Sequence, residues 1–364
     1  MDRISNKKRV DFEIIRIIAI LFVMINHTST NGFVREKVHE NSIMYVAFLA
    51  IASLARVAVP LFFMISGALL VKKEESLKRV LVNRVAKYVV IILAFSIIQY
   101  VLMMYWGMEG YRVNNILEFF SKIYVKEFVT PYWFLYAYLG LMIMLPFLRK
   151  MVKNMSRSDF KYLIVLHVLF FGVFQVFEYF TGLGRINISI PFACETSIFY
   201  FILGYYADNY FIMRKKTALW LTVLAIISVA ILTFMVYWKI LINGDYMNLA
   251  NYSYSSALIV FPTFLIFTFM KYFNNKINQE SKLYKALVWI GGTTFSIYLL
   301  EGVFERLASD SYFLSLKLLP PIFSWLLWVG CSFVCGVLLV SVYKLIRKYA
   351  IKLSDFLKVS FRKA

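Results

Sequence analysis

Residues 88–106 read Tyr88-Val-Val-Ile-Ile-Leu-Ala-Phe-Ser-Ile-Ile-Gln-Tyr-Val-Leu-Met-Met-Tyr-Trp106, without one charged side chain. Wound as a helix at about 1.5 Å per residue, a run of this length covers the roughly 30 Å hydrocarbon core of a bilayer. It belongs to one of ten such runs, near 12–30, 44–71, 85–106, 131–148, 162–180, 188–207, 217–242, 254–270, 286–304 and 321–343. The composition agrees with that pattern. Of 364 residues, 61% are hydrophobic and 16% charged, and the mean hydropathy is +0.70. Soluble domains run at about 45–50% apolar and about 25% charged, so a soluble globular fold is excluded. Disorder is excluded by the same figures, and a collagen-like chain by only 15 Gly and 7 Pro. The 35 Phe, 25 Tyr and 7 Trp suit lipid-facing helices and membrane-interface belts. The expected fold is an all-α polytopic membrane protein, a bundle of about ten transmembrane helices.

The net charge of +20 has to be read by position. Segments 1–16, 72–87, 149–161, 208–216, 271–285 and 344–364 together hold 30 Lys and Arg. The alternate segments 31–43, 107–130, 181–187, 243–253 and 305–319 hold 8. Cytoplasmic loops of membrane proteins carry the excess of Lys and Arg, so both termini are expected to be cytoplasmic. The basic balance is then topology and contact with anionic membrane lipids; no nucleic-acid partner is expected. Met1–Val10 is basic and is followed by an apolar run with no small-residue cleavage site, so it reads as the start of an uncleaved first span. One domain, 1–343, holds the bundle, and 344–364 is a basic cytoplasmic tail. The loop 107–130, with Tyr111, Phe119, Phe120, Tyr124 and Phe128, is expected to form an interfacial helix.

No metal site is expected. Cys194, Cys331 and Cys335 all lie in apolar runs, and no His or further Cys completes a ligand set around the i, i+4 pair Cys331–Cys335. His167 is read as a packing histidine, and the sequons Asn187-Ile-Ser189 and Asn251-Tyr-Ser253 as chance matches.

Polar residues inside spans are informative, because each costs a few kcal/mol in hydrocarbon unless paired or wet. In the first span, Glu13 and Arg16 are neighbours at i, i+3. Arg16 and His27 are about three turns apart on nearly one face, about 16 Å along the axis. That describes a path with a cationic mouth and an imidazole deep inside; a snorkelling Arg and a His bonded to a neighbouring helix account for the same spacing. Ser66-Gly67 permits close approach of a ligand or of another backbone. Arg84 and Lys87, at i, i+3 on a basic stretch, suit phosphates, and ordinary cytoplasmic charge explains them too. Glu195 is expected inside the sixth span, paired with Arg56 or lining a path.

Taken together, these segments resemble the acyltransferase-3 family of integral membrane acyltransferases, many of which O-acylate cell-surface glycans. The acidic-x-x-Arg pair followed by His is Glu13, Arg16 and His27. The aromatic-aromatic-x-x-Ser-Gly motif is Phe62-Phe63-Met-Ile-Ser66-Gly67, and the basic pair of the next inner loop is Arg84 with Lys87, Lys standing where Arg is more usual. Pro131-Tyr132-Trp133-Phe134-Leu135-Tyr136, Phe201-Ile-Leu-Gly204-Tyr205 and Phe295-Ser296-Ile-Tyr298-Leu-Leu-Glu301 follow in the family's order. One departure is Glu301, where the family commonly has His.

The resemblance implies a chemistry. Arg84 and Lys87, with Ser66-Gly67 nearby and Arg16 at the inner mouth, would hold the phosphates of an acyl-CoA donor, acetyl-CoA being the usual one. His27, forming a catalytic set with Glu13 and Arg16 three turns away on the same helix, would take the proton of the attacking hydroxyl, or carry the acyl group itself. Asn26, Tyr132, Trp133, Glu195 and Glu301 would line the acceptor side. The acceptor would be a surface polysaccharide or its lipid-linked precursor, no cofactor would be permanently bound, and the site would be a bacterial plasma (inner) membrane. A polysaccharide exporter or proton-coupled transporter would share the spans and use Glu195, Glu301 and His27 as a proton relay.

Overall fold

The computed structural model describes residues 8–30, 43–182, 188, 195–243, 256–274 and 276–361; Cys194, Asn187, Ser189, Asn251 and Ser253 lie outside these. Among the described residues every regular element is a helix. The main ones are α1 (Val10–Thr30), α2 (Ile43–Ala55), α3 (Ala58–Leu70), α4 (Leu77–Tyr105), α5 (Ile116–Val125), α6 (Trp133–Asn154) and α7 (Arg157–Thr181). They continue as α8 (Thr196–Asn209), α9 (Lys215–Asn243), α10 (Val260–Phe273), α11 (Lys282–Gly291), α12 (Thr294–Leu307), α13 (Ser309–Ser315) and α14 (Pro321–Phe361).

Each of the ten apolar runs contains helix. Six described helices are long and apolar enough to cross a membrane, or seven if the bent pair α11–α12 is one span. The remaining runs have physical reasons to fall short. Helix α1 carries Asp11, Glu13 and Arg16 in its first two turns, α8 starts only at Thr196, and Ala257–Phe273 is short.

The chain divides into two compact units, residues 1–58 with 269–364, and residues 59–268. In the first, α1 lies against α2, α11, α12 and α14. Its buried residues Ile15, Ala19, Ile20 and Met24 recur at helical spacing, which is the sequence reason for its central place. Trp325 of α14 is wholly buried, edge-on to Phe48 at 4.8 Å between ring centroids. Its indole N–H donates to Thr28 Oγ1 at 2.8 Å, and the Thr28 hydroxyl donates to the Met24 carbonyl at 2.6 Å. The C-terminal half of α1 is thereby tied to α14.

Helices α11 and α12 meet at 63° across Gly291-Gly292-Thr293. A break inside an apolar bundle leaves backbone carbonyls that lipid cannot satisfy. Here side chains satisfy them: Thr293 Oγ1 donates to the Ile290 carbonyl, Thr294 Oγ1 to that of Gly291, and Lys344 Nζ to that of Gly292, at 2.6, 2.8 and 2.7 Å. Gly291 has to be glycine. A Cβ there would stand 2.4 Å from Glu13 Oε2 and 3.0 Å from Glu13 Cα.

In the second unit, α3 and α8 cross at two glycines. A Cβ on Gly67 would lie 1.8 Å from the Phe201 carbonyl oxygen, and one on Gly204 2.1 Å from that of Met64. The Ser-Gly and Phe-x-x-Gly-Tyr motifs are thus two halves of one backbone-to-backbone contact, the small-residue packing that holds helices together in membranes. Phe62, Phe63, Phe134, Tyr88 and Tyr138 fill the space beside it. One π-helical turn interrupts α4 at Leu81–Val85 and another α7 at Leu169–Val173. His167 lies flat on Phe199, ring centroids 3.6 Å apart, a packing position as its sequence context suggested. The loop 107–130 does contain a helix, α5, with Phe119 and Ile123 buried and Ile116, Leu117 and Tyr124 exposed.

Replacing Gly67 by Ala should destabilise the second unit by about 1–3 kcal/mol or more, because the obstructing atom is backbone and cannot rotate away. Gly140→Ala, at a helical glycine with open space around it, should leave the detergent-solubilised melting temperature unchanged or slightly raised. Equal melting temperatures for the two variants would contradict the crossing.

Candidate active site

In the first unit, α1 presents its polar residues at two levels. Near its start, Arg16 Nη1 donates to Glu13 Oε1 at 2.5 Å, in the i, i+3 pair expected. Glu13 is 3% exposed, and its second oxygen, Oε2, has no hydrogen-bond partner among the described residues. That oxygen faces the α11–α12 break through the contact with Gly291. Three turns on, Asn26 Nδ2 donates to the Ala55 carbonyl at 2.9 Å, closing α1 onto the end of α2.

His27 meets Glu301 of α12. Its Nδ1 is in direct contact with Glu301 Oε1, the imidazole a quarter exposed and the carboxylate buried. Leu300, just before Glu301, leaves the helical region at φ −126°, ψ 16°, a kink inside α12. Nδ1 is thus the ring nitrogen turned to the carboxylate. The second oxygen of Glu301 is buried without a hydrogen-bond partner among the described residues. Glu305, one turn further on, is also buried, and Trp328 Nε1 donates to its carbonyl at 2.8 Å.

In the second unit, Arg84, Arg149 and Glu75 form an ion cluster. Arg84, within the π turn of α4, holds Glu75 by a fork: Nε to Oε2 and Nη2 to Oε1, both 2.9 Å. Arg149 of α6 donates from Nη2 to Glu75 Oε2 at 2.6 Å and from Nε to the Leu70 carbonyl at 2.8 Å. The Arg84 fork, followed by Arg149, holds the Glu75 carboxyl down at about 2. Lys87 is exposed, one turn on from Arg84, which lies within the π turn.

The other expected residues are placed as follows. Ser66 Oγ donates to the Phe62 carbonyl at 2.9 Å and meets the Tyr138 hydroxyl at 3.1 Å. Gly67 serves the helix crossing. Tyr132 is buried in the short 3-10 turn Thr130–Tyr132, and Trp133 opens α6. Glu195 is exposed just before α8 and accepts from Ser197 Oγ at 2.9 Å. Its charge there complements the positive end of the helix. Glu75, Arg149 and Glu305 were not singled out in the sequence; Arg149 counted there only as one of many cytoplasmic charges.

A family profile for an acyltransferase domain matches residues 9–344. The chain belongs to the acyltransferase-3 family. No curated protein and no solved structure matches it. As a membrane acyltransferase of this family, it has every motif quoted above inside the matched span. The family's acidic-x-x-Arg and later His of this acyltransferase thus sit on α1, with His27 against Glu301, the position at which it departs from the family's usual His.

The depressed carboxyl of Glu75 has a consequence for stability. A group at about 2 when folded and 4.5 when unfolded contributes stability above pH 4.5, and that contribution is lost as pH falls toward 2. The melting temperature of the solubilised acyltransferase should therefore drop more steeply between about pH 5 and about pH 3 than that of Glu75→Gln. Parallel curves would remove the cluster from the stability of the second unit.

Proposed function

We propose that this acyltransferase moves an acyl group, acetyl in the first instance, from cytoplasmic acyl-CoA to a hydroxyl of a cell-surface polysaccharide or its lipid-linked precursor. It would do so in a bacterial inner membrane, through ten spans with both termini cytoplasmic. The observation that carries the reading is the contact of His27 Nδ1 with the buried Glu301 carboxylate. Glu301 holds the imidazole in one tautomer and stabilises the imidazolium once it forms. His27 Nε2 takes the proton of the acceptor hydroxyl while its oxygen attacks the thioester carbonyl carbon. The tetrahedral adduct collapses, the C–S bond breaks, and the departing CoA thiolate recovers the proton from Nε2. Atoms and charge balance without any further reactant.

The donor's phosphates are assigned to Arg84 and Lys87, with Arg16 on the approach of the thioester. Arg16 is held by Glu13, so its guanidinium is oriented before the donor arrives. Acceptor contacts are assigned to Asn26, Tyr132, Trp133 and Glu195. Ser66-Gly67 would act on the donor through the helix crossing that it forms.

The test is O-acyl content of the surface glycan in a deletion strain complemented with wild type, His27→Ala or Glu301→Gln at matched membrane levels. Wild type should restore the ester. His27→Ala should lose about 10²–10⁴-fold, the usual share of a general base. Glu301→Gln, which keeps an acceptor oxygen and loses the charge, should lose about 10–100-fold. Full restoration by His27→Ala would overturn the base assignment, and an ester content unaffected by the deletion would overturn the glycan reading.

A further inference from the structure

The Arg84–Glu75–Arg149 cluster has two cations on one anion. The side chains of Arg84, Glu75 and Arg149 are 19%, 14% and 8% exposed, so the surplus positive charge is only partly screened by solvent. Two guanidinium planes converging on one small anion is the arrangement that binds phosphate, which offers more oxygens and more charge than a carboxylate.

The three members are not equally fixed. Arg149 is buried on α6 and anchored through Nε to the Leu70 carbonyl at the end of α3. Arg84 rides on the π turn of α4. Glu75 belongs to neither helix: it sits on the short connection between α3 and α4, next to the exposed Glu74. Of the three, the carboxylate is the one whose backbone can withdraw without unwinding a helix.

We propose that Glu75 is a built-in competitor for a phosphate-monoester seat made by Arg84 and Arg149, and that the 3′-phosphate of acyl-CoA displaces it. The proposal rests on the acyl-CoA reading above and adds to it Arg149 as a further phosphate ligand and Glu75 as the anion that occupies the seat before the donor arrives. Both donors of Arg84 that form the fork are engaged by Glu75, so the phosphate cannot take the fork while the carboxylate stays. Protonation does not open the seat, since Glu75 stays ionised at any cytoplasmic pH. Only a competing anion does. The exchange breaks no covalent bond and consumes no proton; it swaps a monoanion for a dianion on the same two guanidinium groups.

The experiment is equilibrium binding of CoA and of 3′-dephospho-CoA to the purified full chain in detergent, for wild type, Glu75→Gln and Arg149→Lys. Glu75→Gln should bind CoA about five- to tenfold more tightly than wild type, with little change for 3′-dephospho-CoA. Arg149→Lys, which keeps the charge and loses the planar fork, should weaken CoA several-fold and leave 3′-dephospho-CoA nearly unaffected. If Glu75→Gln does not yield monodisperse protein, Glu75→Asp, whose carboxylate is drawn back by one methylene, should tighten CoA by a smaller factor. Wild type that binds CoA with an affinity unmoved by either change at position 75 would overturn the competitor and leave the donor reading standing. Equal gains for CoA and 3′-dephospho-CoA would overturn the assignment to the 3′-phosphate. Wild type that binds neither ligand would overturn the donor reading, and this inference with it.

Discussion

A carboxylate inside an apolar bundle must find a partner there, because lipid offers none and the cost of leaving it bare is several kcal/mol. Glu301 finds His27. Much of the first unit is arranged around that contact. The kink at Leu300 sets the direction of Glu301, and the Trp325–Thr28 bond fixes the residue next to His27. Asn26, on the other side of His27, is tied to the end of α2. His27 is therefore flanked by two anchored chain neighbours, in addition to the contact made by its own ring.

The same rule of internal satisfaction governs the broken span. Parting α11 from α12 exposes carbonyls, and two threonine hydroxyls with one lysine answer them. In return the break yields a place without a side chain, at Gly291, into which Glu13 packs. Glu13 holds Arg16 in turn. The acidic-x-x-Arg element and the glycine break are thus one construction, although about 275 residues separate them in the chain.

In the second unit, two sequence motifs meet in one packing contact. Gly67 and Gly204 each face the other helix's backbone, so neither tolerates a Cβ. The charged residues Arg84, Arg149 and Glu75 behave in the opposite way. They look like generic cytoplasmic charge, yet Arg84, Arg149 and Glu75 form a specific three-membered cluster. Spacing could not show this, because the π turn at Leu81–Val85 changes the helical phase and because Glu75 and Arg149 lie on different elements.

The sequence by itself determined that the chain is a helical membrane protein, where its apolar runs fall, and which family it belongs to. Those follow from composition and from local order along the chain, quantities that survive without knowing any long-range contact. It also placed His27, Arg16 and Glu13 on one helix, since helical spacing is local geometry. Only the tertiary structure decided that His27 meets Glu301, that Gly67 meets Phe201, that Glu195 stands before its helix, and that Arg84 is engaged by Glu75 and shares it with Arg149. Each of those depends on which face of one helix packs against another, or on a kink, a π turn or a helix start. None of these leaves a periodic trace in the amino-acid order.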